Sequence, residues 1–482
     1  MQILQNFLNN QFEPSASGNT LDVFEPATGQ VYARVEDSSS EDIEKAVEAA
    51  QLAFDDWSVL SGDERGRFLN RLADAMEDRL EELAMAESKD NGKPISLATT
   101  VDIPRAIANF RFFAAAASQY SSESHAMGNH AINYTLRQPL GVVGCISPWN
   151  LPLYLLTWKI APALAAGNTV VAKPSEVTPM SATILGEVCQ QAGLPAGVLN
   201  IVHGRGASTG AALVNHPQVK AVSFTGSTIT GAIIAEQTAS QFKKLSLEMG
   251  GKNPTIIFAD CDLQKTADQV LRSAFSNQGQ ICLCGSRILV EDSIYEQFRA
   301  LLLERISTLK AGDPELPETN HGAIVSKEHF NKVLGHIELA REEGGNILCG
   351  GHAVELTGRC AQGWFIAPTL IDGLSNQCRT NQEEIFGPVA TMQPFSGEQE
   401  ALQLANDSGY GLACSIWSSD ISRCHRLAEQ LDCGIIWINC WMQRDLRTPF
   451  GGMKSSGMGR EGGMEAMRFF TEAKNICVEF AP

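Results

Sequence analysis

Two cysteines stand on either side of a single leucine in the stretch SNQGQICLCGSR, residues 276–287. A cysteine placed in this way is a metal ligand, half of a disulfide, a packed core thiol or a nucleophile. The metal site is the poorer hypothesis, because C-x-C lacks a second ligand pair at a recognisable zinc spacing. The residues by themselves do not decide among the other roles of Cys282 and Cys284.

A carboxylate follows an apolar run in SLEMGGKNP, where Glu248 precedes paired glycines. A glutamate at the end of a strand is either a solvated loop residue or a general base in a cleft. Glu248 and Cys282 are far apart in the chain, so only the fold can bring them together.

Two further motifs have residues that suit a nucleotide. In SFTGSTITG, Gly226, Ser227 and Thr228 would present backbone N–H groups and a hydroxyl at a helix N-terminus, which suits a phosphate. In VAKPSE, Lys173 and Glu176 suit the hydroxyls of an adenosine ribose. Taken alone, the first motif is explained nearly as well by a tight turn, and a solvated loop is the better explanation of the second. The glycine loop HGRGASTG is a weaker phosphate site still. No G-x-G-x-x-G follows the first strand.

The elements that must position these residues alternate between strand and helix. Short apolar runs rich in β-branched residues alternate with helical stretches such as SATILGEVCQQAGL. The runs are GVVGCIS, NTVVAKPS, VLNIVHG and VKAVSFTG, followed by NPTIIFAD, SRILVED, GLACSIWS and CGIIWINC. This alternation predicts an α/β fold with two doubly wound parallel sheets and ligands at the strand ends.

Composition and charge exclude several classes of protein. The chain has 482 residues, enough for two or three domains, and its 44% hydrophobic and 19% charged residues are typical of a globular protein. A formal net charge of −18 argues against nucleic-acid and anionic-membrane partners. The 13 cysteines show no disulfide spacing, and the first basic residue is Arg34, so we expect a cytoplasmic protein without a leader.

One uncharged segment, from Gln138 to Trp158, is long enough to suggest a membrane span. Pro139, Pro148 and Pro152 prevent a single unbroken helix. We therefore expect a buried strand, a turn at PWNLP and a buried helix.

The seven motifs PWNLP, VAKPSE, FTGSTxxG, LEMGGKNP, NQGQIC, EEIFGPV and PFGGMKSSGMGRE follow one another along the chain. This series resembles the NAD(P)-dependent aldehyde dehydrogenase superfamily over essentially all of the sequence. Met249 is a small departure, since the family usually has leucine there. The resemblance implies an aldehyde dehydrogenase-like fold of two Rossmann-like domains and a small β oligomerisation element.

The resemblance also implies catalytic roles. The family's nucleophile follows G-Q-x and falls on Cys282, whose thiolate would add to an aldehyde carbonyl and form a thioester after hydride loss. Asn150, with the backbone N–H of Cys282, corresponds to the donor to the oxyanion. Glu248 corresponds to the base that activates water for thioester hydrolysis. For Cys284 we expect a packed thiol.

NAD is the cofactor that the resemblance implies, with no metal ion. Lys173 and Glu176 correspond to ligands of the adenosine ribose, and Ser227 to a ligand of the pyrophosphate. Glu176 would repel a 2′-phosphate, so we expect NAD to be preferred over NADP. Glu384 and Phe386 correspond to residues that hold the nicotinamide half. The other implied cofactor contacts are Ile146, Trp149, Gly206 and Gly226.

Four arginines bear on the substrate: Arg105 and Arg111 in DIPRAIANFRFF, and Arg444 and Arg447 in INCWMQRDLRTPFGG. These segments look most like those of the 2-aminomuconate and 2-hydroxymuconate semialdehyde dehydrogenases, whose substrates have a carboxylate far from the aldehyde. The resemblance places the carboxylate-binding arginines at Arg105 and Arg444. A planar guanidinium suits a carboxylate because it donates two parallel hydrogen bonds.

Three alternatives to a semialdehyde dehydrogenase stay open. They are a dehydrogenase for retinal, betaine aldehyde or an aliphatic aldehyde, a CoA-acylating enzyme, and a structural protein without activity. The retained Glu248 argues against CoA acylation. The intact Cys282, Glu248 and Asn150 argue against a structural protein.

The two sets of alternating strands and helices divide the chain into domains, the second beginning near Gly250. We expect residues 1–120 and 141–249 to form the NAD-binding domain and residues 250–445 the catalytic domain. The segments 121–140 and 465–482 are expected to be exposed strands that pair between subunits of a homodimer or homotetramer, since unpaired strand edges invite another chain.

Overall fold

Five parallel strands make up the centre of the first sheet of the computed structural model, which describes residues 1–480. Antiparallel strands extend this sheet at both edges. In spatial order the eight strands are Gly457–Met458, Lys244–Glu248, Val219–Thr225, Val142–Ile146, Thr169–Lys173, Leu199–Ile201, Asn6–Leu8 and Gln11–Glu13. The four runs predicted for the first sheet are all strands of it.

Successive residues of these strands pack into different hydrophobic clusters. Val143 belongs to one cluster with Phe113 and Trp158, whereas Val142 belongs to another with Ile43. Because neighbouring side chains of a strand point to opposite faces, both faces of the sheet are covered, as in a doubly wound fold. The helices of this half are Ser40–Ser58, Gly62–Asp78, Leu80–Asn91, Ile103–Gln119, Pro152–Ala165, Met180–Gln191, Ala211–Asn215 and Thr228–Thr238.

The uncharged segment folds as expected. It contains the strand Val142–Ile146, a turn, and the beginning of the helix Pro152–Ala165, in which all residues are buried. Within residues 1–480, no helix combines the length and the apolar character needed to cross a bilayer.

Six parallel strands and one antiparallel edge strand form the second sheet. In spatial order they are Asn346–Cys349, Thr369–Asp372, Val389–Phe395, Arg287–Glu291, Pro254–Ile257, Ala413–Trp417 and Ile435–Ile438. The helices are Leu263–Phe275, Tyr295–Ile306, Lys327–Glu342, Arg379–Gln382, Glu398–Asn406 and Ile421–Gln430. The four predicted runs form strands here, and three strands were not predicted. The predicted α/β class is confirmed.

The two segments with no evident partner pair with each other. Thr471–Glu479 lies antiparallel to Ala131–Pro139 over nine residues, and Ser124–Met127 completes a three-stranded sheet. The predicted strand segment 465–482 is partly wrong, because residues 465–469 belong to the helix Gly463–Phe469. Residues 481 and 482 of that segment lie outside the described residues.

Several shorter elements complete the chain. A small sheet near the N-terminus joins Gln2–Leu4, Gln30–Glu36 and Thr20–Glu25. Two two-stranded pairs are Ala353–Val354 with Phe365–Ile366, and Tyr410–Gly411 with Met453–Lys454. Short helical turns occupy Ile95–Leu97, Ala98–Asp102, Gly206–Gly210, Ala239–Gln241, Ser276–Gly279, Asp292–Ile294 and Gly358–Cys360.

The parallel register aligns the predicted site residues. Ile146 pairs with Lys173 on one side and with Phe224 on the other, and Thr225 pairs with Glu248. The strands that precede Asn150, Glu176, Ser227 and Glu248 therefore end along one edge of the sheet, where doubly wound folds bind ligands.

Candidate active site

The loop that bears Cys282 is held by residues in an unusual backbone conformation. After the helix Leu263–Phe275, Asn277 and Gln278 adopt positive φ angles of 50° and 55°. Such angles are uncommon outside glycine and are often found where structure serves function. Cys282 is half-buried and lines a cavity, whereas Cys284 is buried and packed, as expected for a core thiol.

Asn150 and this loop are joined by two hydrogen bonds, one donated from each side. Its Nδ2 donates to the carbonyl oxygen of Gln280 at 3.0 Å, and the Nδ2 of Asn277 donates to the carbonyl oxygen of Asn150 at 3.0 Å. Asn150 is 3% exposed and lines the same cavity as Cys282. The structure thus brings an amide donor and the predicted nucleophile together.

A buried lysine holds the same turn from another side. Lys93 donates to the carbonyl oxygen of Asn150 at 3.1 Å and pairs with Asp102 at 2.5 Å and Glu87 at 3.4 Å. Asp102 immediately precedes the helix that contains Arg105. The motifs did not reveal this cluster, although NGKP has a lysine next to a helix end.

Glu248 lies 3% exposed at the end of its strand, and neither of its carboxylate oxygens has a hydrogen-bond partner within residues 1–480. Burial, and then the carboxylate of Glu461, raise its pKa well above the usual value, against the opposing cations of Lys159, Arg460 and Arg444. Glu248 shares a cavity with Cys282. A buried carboxyl with free oxygens and a raised pKa is suited to proton transfer.

A second buried ion pair lies next to Glu248 and was not predicted. Lys159, fully buried, donates to Glu461 at 2.6 Å and to the hydroxyl of Ser223 at 3.1 Å, and that hydroxyl donates to Glu461 at 2.9 Å. A signal was present, since Lys159 is the single charged residue of the buried helix Pro152–Ala165. Because charged groups are rarely buried without a partner, Lys159 could have been marked.

Burial is the main reason that the Cys282 thiol resists ionisation. Together with the carboxylates of Glu384 and Glu248, it raises the pKa of the thiol to about 12, although the guanidinium of Arg444 acts to lower it. The thiol is therefore protonated at neutral pH, and a nearby base must take its proton before it can attack.

A cleft of about 390 Å³ adjoins Cys282, where the nicotinamide half of a dinucleotide is expected. Glu384 lines this cleft, and the N–H of Gly251 donates to Oε1 of Glu384 at 2.9 Å. Burial raises the pKa of Glu384 to about 7. A Cβ at Gly250 would lie 1.9 Å from Glu384 Oε2, so a larger residue there would displace the carboxylate of Glu384. The free Oε2 suits the hydroxyl donors of a ribose.

Aromatic rings form one wall of this cleft. The ring of Trp149 lies 5.3 Å from that of Phe386, edge to face, and 5.0 Å from that of His329. His329 Nε2 is hydrogen-bonded to the carbonyl oxygen of Phe386 at 2.7 Å. Phe386 has a positive φ of 59°, so this bond helps to hold a strained backbone. His329 was not predicted.

The residues expected at the ribose and pyrophosphate lie further along the sheet edge. Lys173 pairs with Glu176 at 2.7 Å, and the backbone N–H of Gly206 donates to Glu176 at 3.2 Å. Glu176 lines a separate cavity of about 520 Å³, and Glu328 lines both this cavity and the cleft.

Gly226 and Ser227 line the cleft at the start of the helix Thr228–Thr238, where the hydroxyl of Ser227 accepts from the N–H of Thr230 at 3.2 Å. An exposed helix start of this kind suits a phosphate. Ile146 is buried at its strand end, and Ile146, Lys173, Glu176 and Gly206 do not line the cleft that contains Cys282.

The four candidate arginines fall into two classes. Arg111 pairs with Asp74 and Glu77, and Arg447 pairs with Asp445. The paired carboxylates neutralise both arginines, whose side chains are 40% exposed for Arg111 and 80% exposed for Arg447.

Arg105 and Arg444, by contrast, have no carboxylate partner within residues 1–480. Both guanidinium carbons lie 5.8 Å from the ring centroid of Tyr154, and Arg444 Nη1 donates to Tyr154 Oη at 2.5 Å. Arg444 lines the cavity that contains Cys282 and Glu248. Arg105 does not line it but donates to the carbonyl oxygen of Met442, which does.

The fold and this site define a class of protein: an enzyme on a doubly wound fold with a cysteine, a buried glutamate and an amide donor at a dinucleotide cleft. The model of the aldehyde dehydrogenase family matches residues 12–476. The chain belongs to that family and is an oxidoreductase that acts on aldehydes, as predicted.

Individual relatives are similar over their full length. The chain is 50% identical to 2-aminomuconic semialdehyde dehydrogenase of Danio rerio over 480 residues, covering 99% of this chain and 98% of that protein. It is 47% identical to 2-hydroxymuconic semialdehyde dehydrogenase of Pseudomonas sp. (strain CF600) over 485 residues, covering 99% and 100%. A structure of indole-3-acetaldehyde dehydrogenase with NAD⁺ matches with a TM-score of 0.96 at 38% identity, covering 99% and 96%.

Proposed function

We propose that the protein oxidises a carboxylate-bearing semialdehyde to the dicarboxylic acid with NAD, the substrate being of the 2-aminomuconate or 2-hydroxymuconate semialdehyde type. The observation that carries this proposal is the pair of unneutralised arginines: Arg444 lines the cavity of Cys282, and Arg105 lies beside that cavity, where it donates to the carbonyl oxygen of Met442. A cation without a partner in a partly desolvated pocket favours an anionic substrate group. The relatives named for such substrates support the same choice.

Cys282 is assigned as the nucleophile and Asn150 as the oxyanion donor. The Cys282 thiol first gives its proton to a basic group at the cavity, and its sulfur then adds to the aldehyde carbon and forms a thiohemiacetal, whose oxygen takes the negative charge. Asn150 Nδ2, already held toward the cysteine loop through Gln280, donates to that oxygen. A preorganised donor of this kind typically stabilises the transition state by about 3 kcal/mol.

NAD, when bound, supplies the acceptor for the electron pair that leaves the aldehyde carbon. Glu384 and the aromatic wall of Trp149 and Phe386 would hold its nicotinamide half. Ser227 would hold the pyrophosphate, and Lys173 with Glu176 the adenosine ribose. The remaining assigned contacts are Ile146, Gly206 and Gly226. The carboxylate of Glu176 disfavours a 2′-phosphate, which supports NAD over NADP.

Glu248 is assigned as the base for the second half of the reaction. Oxidation leaves a thioester on Cys282, and Glu248 takes a proton from the water that attacks it. The carbon–sulfur bond then breaks, releasing the acid and the Cys282 thiolate. The raised pKa of Glu248, to which the neighbouring carboxylate of Glu461 contributes, makes its carboxylate a stronger base.

We further propose a cytoplasmic homodimer or homotetramer. All 13 cysteines are free, which suits a reducing compartment. The sheet of Ser124–Met127, Ala131–Pro139 and Thr471–Glu479 supplies exposed strand edges for subunit pairing. We propose residues 1–120 and 141–249 as the NAD-binding domain and residues 250–445 as the catalytic domain. The strand Gly457–Met458, which follows the catalytic domain in the chain, pairs with the first sheet.

A substrate panel tests the proposed function. Adipate semialdehyde and hexanal share one carbon skeleton and differ by a terminal carboxylate, and betaine aldehyde carries the opposite charge. We expect the highest kcat/KM with 2-hydroxymuconate semialdehyde and adipate semialdehyde, and with NAD over NADP. A higher kcat/KM for hexanal or betaine aldehyde would refute the semialdehyde proposal, and equal values for the two cofactors would refute the role of Glu176.

A further inference from the structure

The ring of Tyr154 lies 5.8 Å from the guanidinium carbon of each unneutralised arginine, and Tyr154 has no role in the scheme above. Its side chain is 2% exposed and lines the cavity that contains Cys282 and Glu248. It follows Asn150 by four positions, on the first turn of the helix Pro152–Ala165. The helix that helps to place the oxyanion donor therefore also places this phenol.

The hydroxyl of Tyr154 is only half satisfied. Arg444 Nη1 donates to its oxygen at 2.5 Å, which uses a lone pair and not the phenolic hydrogen. Within residues 1–480 the hydroxyl makes no other hydrogen bond. A phenol in this state has one strong donor to offer, next to a guanidinium that also needs an anion.

The surroundings of Arg444 limit the number of other groups that can satisfy it. Its guanidinium carbon lies 4.1 Å from the ring centroid of Phe450 and 5.1 Å from that of Trp158. Aromatic faces attract a cation but offer it no hydrogen-bond acceptor. The acceptor for the remaining N–H groups must come from outside this cage.

We propose that the Tyr154 hydroxyl is a third ligand of the substrate's distal carboxylate and a determinant of specificity for carboxylate-bearing aldehydes. This inference rests on the proposed function. Arg444 fixes the hydroxyl oxygen, and the O–H donates to a carboxylate oxygen while Arg444 and Arg105 supply the positive charge. A site built to hydrogen-bond a substrate group rejects analogues that lack it, because its own polar groups are then left unpaired.

Tyr154→Phe tests this without removing the ring. We expect KM for adipate semialdehyde to rise by about tenfold or more, the usual effect of losing a hydrogen bond to a charged group. KM for hexanal should change by less than about twofold, because hexanal has no carboxylate. Tyr295→Phe is the matched control, since Tyr295 lies on an outer helix of the second sheet, near Asp372.

A double variant separates direct contact from support of Arg444. If Tyr154 only orients Arg444, Tyr154→Phe has no further effect in an Arg444→Ala background. If Tyr154 contacts the carboxylate itself, KM for adipate semialdehyde rises again in that background. The first result, or an equal rise in KM for hexanal, overturns the proposal. The dissociation constant of the product adipate, measured by calorimetry with the same variants, should follow the same pattern.

The failure of this inference differs from a failure of the proposed function. If Arg444→Ala discriminates adipate semialdehyde from hexanal but Tyr154→Phe does not, the function stands and the role of Tyr154 falls. If neither variant discriminates the two aldehydes, the semialdehyde proposal falls with it.

Discussion

The side chain of Asn150 donates to the carbonyl of Gln280, two residues before Cys282, while Asn277 of the same loop donates back to the carbonyl of Asn150. Each loop thus fixes the other. A shift of the Asn150 turn would therefore move the loop that bears Cys282, and a shift of that loop would move Asn150.

Asn150→Ala removes the proposed oxyanion donor and one of the two hydrogen bonds between the loops. We expect kcat to fall by about 10²–10³-fold with little change in KM, because the amide acts on charge that develops during the reaction. Asn277→Ala removes the other hydrogen bond and keeps the oxyanion donor, so kcat of this variant should fall by only about tenfold. Steady-state kinetics would contradict this assignment if Asn277→Ala were the more damaging variant.

Cys282→Ala should abolish aldehyde oxidation, lowering kcat by at least about 10⁴-fold, because no other group supplies the nucleophile. NAD binding, measured by fluorescence quenching, should persist. Cys284→Ala should retain most activity and lower the free energy of unfolding by about 1 kcal/mol, since Cys284 is a buried core thiol. Exchanged phenotypes would mean that Cys284 is the nucleophile.

Glu248→Gln should slow hydrolysis of the thioester more than its formation, because a neutral amide cannot take the proton of water. Stopped-flow absorbance should then show a burst of NADH followed by slow turnover. A variant that lost the burst as well would point to Glu248 as the group that deprotonates Cys282.

The pH dependence of turnover should report the charge near Glu248. Glu248 acts as a base in its ionised form, so kcat rises with pH up to its raised pKa. The carboxylate of Glu461 is one cause of that rise. Glu461→Gln removes the negative charge and frees the cation of Lys159, and both changes lower the pKa of Glu248. The acid limb of the kcat profile should shift to lower pH, and a shift to higher pH would be incompatible with this coupling.

The strands of the fold could be predicted from the sequence, but the roles of the arginines could not. Strands such as Val142–Ile146 were predictable because β-branched runs between turn residues mark buried parallel strands. Arg105 and Arg111 lie on one helix, and nothing local tells them apart. Arg111 is neutralised by Asp74 and Glu77, which belong to another helix, so only the packing shows which arginine stays free. The Lys159–Glu461 pair is likewise invisible locally, since its members are 302 positions apart.

Subunit association should depend on the exposed end of the strand Thr471–Glu479. Val478 and Phe480 are each 44% exposed beside a strand edge that has no partner within residues 1–480. Val478→Glu with Phe480→Glu brings like charges together where two copies meet, so the mass measured by light scattering should fall toward that of a monomer. A wild-type protein that is monomeric and fully active would remove the basis for this expectation.

Arg444 provides the test of the substrate class. Arg444→Ala should raise KM for adipate semialdehyde by about 10- to 150-fold, the equivalent of losing one charged hydrogen bond. The effect on kcat should be smaller, because the distal carboxylate is bound similarly before and during the reaction. Arg105→Ala should act in the same direction, and the double variant should be less than additive if both grip one carboxylate.

Arg447→Ala is the matched control for Arg444→Ala, because Arg447 lies three positions away, is 80% exposed in its side chain and already pairs with Asp445. It should leave KM for both aldehydes unchanged. The charge of Arg444 also acts to lower the pKa of Cys282 and of Glu248, so its loss shifts the pH profile toward higher pH. That shift is the same for every aldehyde, whereas a contact with the carboxylate raises KM for adipate semialdehyde alone. Equal losses with adipate semialdehyde and hexanal would therefore mean that Arg444 tunes the catalytic groups without binding the substrate.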